Sequence, residues 1–202
     1  MARGEPELLF YSQSGLDVRA HHIRVTAHRA ESMEDKKVRD GDLEELVAEI
    51  VKEGAVEIPV LDRAGISFER QQRTDRGNDR WGDPYERQRS VLLFDVPFTG
   101  DSQIFSVRPS KSDTSPPRAE ILRGFLRVTL AEDAEPEKMK SALDAELSSI
   151  EQYLGWHREM WAGVEEEIAR DARRLLQVRK EKLGQQQKAD EGLASFGFKP
   201  KS

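Results

Sequence analysis

Cysteine is absent from all 202 residues. That excludes a disulfide framework, a thiolate zinc site and a cysteine nucleophile, and it fits a reducing compartment. Aromatic residues are scarce at 7%, and hydrophobic residues reach only 37% against 35% charged. Such a chain can build a modest core beneath a large polar surface. Long apolar runs are missing as well. The N-terminal segment offers only the four-residue run Leu8–Tyr11, far short of a signal-peptide core or a membrane span, so the chain reads as cytoplasmic. Nor is there a surplus of positive charge. A net charge of -6 argues against the whole chain binding a polyanion and leaves room only for a local basic patch.

Recognisable site chemistry is lacking too. There is no glycine-rich phosphate loop, nucleophile elbow, histidine pair on a helix, or nuclease-type Asp followed by Glu-x-Lys. Glu137-Lys138 and Glu181-Lys182 lack the intervening residue and fall in helical sequence, where such neighbours form a solvated face. The expectation is a protein without catalytic activity, cofactor or metal. His21, His22 and His28 are close in sequence, but on a strand His21 and His22 point to opposite faces. His22 and His28 would then stand roughly 20 Å apart, too far to share one ion.

What is present divides at residue 132. Before it the signals are mixed. Ile23, Val25 and Ala27 alternate with polar residues and predict a strand over Ala20–Arg29. Glu31–Asp40 is charged, without apolar periodicity, and reads as a loop. Asp42 with Glu45 three residues on, the stripe Leu43, Leu46, Val47 and Ile50, and a closing Gly54 predict a helix. Val56, Ile58 and Val60 predict a short strand, with Pro59 placing it at a sheet edge.

Gln71–Arg89 follows neither period and reads as a long surface loop. Leu92, Phe94, Val96 and Phe98 then alternate, and Thr99-Gly100-Asp101 supplies a reversal into Ile104–Arg108, predicting a hairpin. Leu122, Leu126, Val128 and Leu130 predict a last strand with a bulge at Gly124.

From Pro136 to about Lys188 the residues are good helix formers. Steps of three and four pick out Leu147, Ile150, Leu154, His157, Trp161, Val164, Ile168, Asp171, Leu175 and Val178, a coiled-coil or helical-hairpin register. Gly155 and Gly163 lie inside it, and a break, if there is one, is expected near 155. The fold class is therefore α+β: a small antiparallel β-sandwich or open barrel with one crossing helix, followed by a long helical, coiled-coil-like arm. The expected divisions are 1–131, 132–190 and an exit segment or tail, 191–202.

Two sets of residues are candidates for contact with a partner. The first is the helical seam, Leu147, Ile150, Leu154, His157, Trp161, Val164, Ile168 and Leu175. An apolar stripe at this spacing is usually intramolecular core. The length of the arm favours part of it reaching a second copy or an adjoining effector domain or subunit. His157 in that seam would make such an interface sensitive to pH. Asp171 in the same register either faces solvent or pairs with Arg174 or Arg170 of its own helix, and facing a partner it would specify register. Glu165, Glu166 and Glu167 mixed with Arg170, Arg173 and Arg174 suit a protein partner better than a membrane. The second set is the loop 70–89, where Arg73, Arg76, Arg80 and Arg87 are interleaved with Trp81 and Tyr85, which would stack on nucleic-acid bases. Asp75, Asp79, Asp83 and Glu86 cancel much of its charge, and a peptide- or protein-docking loop competes for the same residues.

PFTGDSQIFSVRPS, Pro116-Pro117-Arg118 with its following strand, SSIEQYLGW, QVRKEKL and the closing FGF form a combination covering roughly Phe98 to Phe198. It resembles N-terminal regions of bacterial proteins that carry a toll/interleukin-receptor-like or nuclease effector further along. The resemblance implies a scaffold or sensor in an antiviral defence system and carries over no catalytic residue. Such regions lead into their effector just after the helix, and the resemblance leaves open whether these 202 residues are a whole protein or part of a longer one.

Overall fold

The computed structural model describes residues 7–78, 80–132 and 135–197, with the side chains at 75, 76, 78, 85 and 87 outside that description. The fold is α+β, as the sequence predicts. In chain order the elements are β1 (Glu7–Leu8), β2 (Gln13–Ser14), α1 (Gly15–Ala27), α2 (Arg29–Ser32), α3 (Asp35–Asp40) and α4 (Leu43–Glu53). There follow β3 (Val60–Leu61), β4 (Ser67–Asn78), β5 (Pro84–Thr99), a 3-10 helix (Ser102–Ser106), β6 (Val107–Arg108), β7 (Arg118–Leu122) and β8 (Phe125–Ala131). Two long helices close the chain, α5 (Pro136–Trp161) and α6 (Val164–Ser195). They fall into two compact units, one of residues up to Leu16 with Val56–Met160, the other of Asp17–Ala55 with Trp161 onward. β8 ends at Ala131 and α5 starts at Pro136, while the compact units divide the chain at other points.

In the first unit the sheet runs β1-β7-β8-β5-β3, and β4 joins the same edge of β5 as β3. All its pairings are antiparallel, while β2 and β6 form a separate parallel pair. Alternation places Leu92, Val96, Leu126 and Val128 on one face, all buried. An aromatic cluster extends this core: Phe10 stacks on Tyr153 of α5 at 4.9 Å and lies 5.9 Å from Phe105, whose ring meets Phe98 at 4.9 Å. Helix α5 is fastened at its polar margin. Arg63 forks onto Glu151 at 2.8 and 2.7 Å, and the Tyr153 hydroxyl accepts from the Asp113 amide at 3.0 Å. Within the sheet Arg127 makes the same bidentate contact with Asp95, at 2.7 and 2.8 Å.

The second unit is helical. α4 forms where its local signals put it: the Asp42 carboxylate accepts from the amides of Glu44 and Glu45 at 2.9 and 3.1 Å, and Leu46, Val47 and Ile50 are buried. The strand expected over Ala20–Arg29 is instead α1. Ile23, Thr26, Ala27 and Ala30 are the buried positions and Val25 is exposed, a spacing of three and four rather than two. The expected loop 31–40 holds the end of α2 and all of α3, anchored by a fully buried Val38.

Three β expectations also change. The long loop 71–89 is mostly paired strand, β4 and the first half of β5. The partner of β5 is therefore β4, while Ser102–Ser106 turns as a 3-10 helix. Gly124, with φ of +86°, makes the tight turn between β7 and β8 instead of a bulge in one strand.

Candidate functional site

Leu147, Ile150, Leu154 and His157 are buried within the first unit, and Trp161, Val164 and Ile168 within the second. These seven seam residues consequently present no stripe to a partner: their own chain covers them. His157 is bonded rather than displayed, its Nε2 donating to the Val107 carbonyl at 2.8 Å. Burial lowers its pKa, and that hydrogen bond acts weakly in the other direction.

Past Gly163 the buried line changes pitch. It follows Val164, Ile168, Ala172, Leu176 and Leu183, because a straight helix of 3.6 residues per turn drifts away from a 3.5-residue repeat. Leu175 is left half-buried and Val178 63% exposed. Asp171 lies between Arg170 at 3.8 Å and Arg174 at 3.9 Å of its own helix, one of the alternatives the sequence leaves open.

Charged residues of α6 clamp the buried line. Arg19 meets Glu167 at 2.6 Å, and Arg173 forks onto Glu44 at 2.8 and 2.6 Å, which lowers the pKa of each carboxyl. Arg179 donates to the Ala30 carbonyl at 2.7 Å, to the Met33 carbonyl and to Asp35 at 2.6 Å. Lys180 donates to the Gly41 carbonyl at 2.6 Å. Cations thus sit at carbonyls that end α2 and α3, where helix dipoles favour positive charge. Sequence reading missed these two residues, which carry no local signature.

Two features of the described residues are not used up by folding. The first is the distal half of α6. From Gln185 to Gly197 every residue is exposed, with Leu193 at 53% and Phe196 at 80%. Just before this stretch a cavity of about 470 Å³ is lined by Leu175, Val178 and Leu183 with Glu31, Asp35, Arg174, Arg179, Lys182 and Gln186. The remainder of the expected exit segment, 198–202 with Pro200, lies outside the described residues.

The second is the β4–β5 hairpin. β8 pairs with β5 only from Val91 to Pro97, whereas β4 pairs with it as far as Asn78 and Pro84. Residues 72–78 and 84–90 therefore form a two-stranded ribbon with no third strand. Arg73 stands directly across from Arg89 in the ladder. Arg80 is exposed at the tip and Trp81 is 82% exposed. Arg70, at the base, bonds Glu132 at 2.7 Å. The side chains of Arg76, Tyr85 and Arg87 lie outside the described residues.

His21, His22 and His28 have separate partners: the Arg24 side chain, the Gly54 carbonyl and Glu31 respectively. Among the described residues no three His, Asp or Glu side chains converge as a metal site, and no helix is long and apolar enough to cross a membrane. No protein-family model, no curated protein and no solved structure matches the chain.

Proposed function

We propose that the chain is a non-catalytic assembly module that pairs with a second copy of itself through the distal half of α6. The observation that carries the reading is the exposed run Gln185–Gly197, which continues a helix past its last buried residue, Leu183. A helical end of this length is marginal in water without a packing surface.

Its pattern is self-complementary. Antiparallel pairing centred between Gln185 and Gln186 sets Phe196 of one copy at Leu175 of the other and Leu193 at Val178, beside the cavity that Leu175, Val178 and Leu183 line. The same register sets Asp190 of each copy opposite Glu181 and one position from Lys182 of the other, and the overlap from 175 to 196 is about 33 Å long. Thus the arm remains the assembly element, with its interface moved from the proximal seam to the distal face.

The resemblance to N-terminal regions of bacterial defence proteins supports a scaffold or sensor role in such a system, with the chemistry held by a separate domain or subunit. The cysteine-free composition suits the cytoplasm.

Light scattering at two protein concentrations tests the pairing. The full chain is expected to have the mass of a dimer. A chain ending at Leu183 keeps every buried residue of α6 and is expected to be a monomer that still unfolds cooperatively, at a melting temperature that no longer depends on concentration. A full chain that stays monomeric, or a truncated chain that stays dimeric, would overturn the reading.

A further inference from the structure

We infer that the outer edge of β4 takes up an extended segment of a partner protein as an added strand. β4 pairs with β5 one to one along its twelve residues, Ser67–Asn78, without a bulge. Among the described residues no other strand pairs with β4, and no other backbone hydrogen bond involves it. Its outward N–H and C=O groups therefore form an unpaired row about 40 Å long. Proteins ordinarily blunt such an edge with proline, lysine, a bulge, a short strand or a covering element. β4 contains neither proline nor lysine, and its first four residues, Ser67 to Arg70, are all exposed. The backbone fixes the class of ligand, because donors and acceptors alternating at strand spacing are matched by another strand.

Two side chains narrow the choice. Phe68 stands across the ladder from Phe94 with ring centroids 6.0 Å apart, and as the outer of the two it is 69% exposed. An added strand sets one residue against the open side of that ring, and an apolar one extends the row. Arg73 is half-buried and makes no ion pair among the described residues. Arg70 is bonded to Glu132, so Arg73 is the cation on this edge that a carboxylate of the occupant meets. Five positions separate Phe68 from Arg73, which puts them on opposite faces. The occupant is accordingly a segment with an apolar residue and, five positions from it, an acidic one. A second copy of β4 answers only half of this demand, since the register that sets Glu69 opposite Arg73 sets Thr74 opposite Phe68.

Fluorescence anisotropy of the full chain tests the assignment with two labelled probes. Both are eight-residue peptides of alternating threonine and valine carrying a leucine and, five positions away, a glutamate, one in each chain direction. One of them is expected to saturate below about 1 mM. Successive N–H groups of a strand point to opposite sides, so N-methylation of alternate residues is expected to abolish binding in one phase and to change it less than about twofold in the other. Phe68→Ala is expected to weaken the binding probe about threefold or more, and the control Val60→Ala, at an exposed position of β3, less than about twofold. Arg73→Gln is expected to weaken the glutamate probe about threefold or more and to leave a glutamine version unchanged. If that variant does not fold, exchanging glutamate for glutamine in the probe tests the same contact from the other side. Absence of saturable binding by both probes would overturn the proposal, as would equal losses in the two phases of N-methylation. Association of the full chain beyond a dimer, reversed by either probe, would assign the edge to a second copy and overturn it as well.

Discussion

His157 is fully buried against Phe10, its Nε2–H bonded to the Val107 carbonyl and its Nδ1 without a hydrogen-bond partner. Only the neutral ring is compatible with that setting, which is why burial lowers its pKa below the ordinary histidine value. The consequence is a pH dependence of stability, not of a partner interface. Above the unfolded-state pKa, near 6.5, both states hold a neutral ring and the group contributes no slope. As the pH falls below that value the unfolded chain takes up a proton that the folded chain refuses, so stability declines, by at most about 1.4 kcal/mol per pH unit for one proton. Urea midpoints measured from pH 7.5 down to 5 should fall more steeply for the wild type than for His157→Gln, which retains an N–H donor and does not titrate. Parallel slopes would mean that His157 is protonated in the folded protein.

Elements were legible in the sequence where their signals were local. Helix α4 has a capping carboxylate, an apolar stripe and a closing glycine within thirteen residues of each other, and it forms between those marks. Helix α1 was misread because Ile23 and Ala27 satisfy both a period of two and a period of four, and only burial at Thr26 and Ala30 separates them. The ribbon could not be read at all, since alternation in a strand records a half-buried sheet, and strands with water on both faces have no reason to alternate. The helical break shows the same limit. Glycine marks it, but Gly155 sits in the interior of α5 with open space around its missing Cβ, whereas Gly163 adopts φ of +76° between α5 and α6. The two should respond oppositely to alanine. Gly155→Ala is expected to stabilise by roughly 0.5–1 kcal/mol through helix propensity, and Gly163→Ala to destabilise by about 1–2 kcal/mol through left-handed strain. Denaturant midpoints of the two variants check this, and shifts of the same sign would place the break wrongly.

On the scale of the whole molecule, the sequence located buried residues better than it located what buries them. Leu147 through Ile168 were identified as an apolar seam from spacing alone, yet a stripe carries no mark of whether its cover is the same chain or another. The cover here is assembled from distant segments, because each compact unit draws on two separate stretches of chain. Residues 1–131, which the sequence marks off as a β-rich module, lack α5 and with it Leu143, Leu147, Ile150, Tyr153 and Leu154, all buried in the first unit. They also lack α6, whose Arg173, Arg179 and Lys180 hold α2, α3 and α4. A fragment of 1–131 is therefore expected to show no cooperative thermal transition and no dispersed amide spectrum, while the chain ending at Leu183 shows both. That contrast decides where assembly can be dissected: a cut at 131 removes the core together with the interface, so loss of dimerisation there would say nothing about α6. A cooperative, native-like transition in 1–131 would mean that the sheet closes its core without α5, and the two-unit division would have to be redrawn at 132.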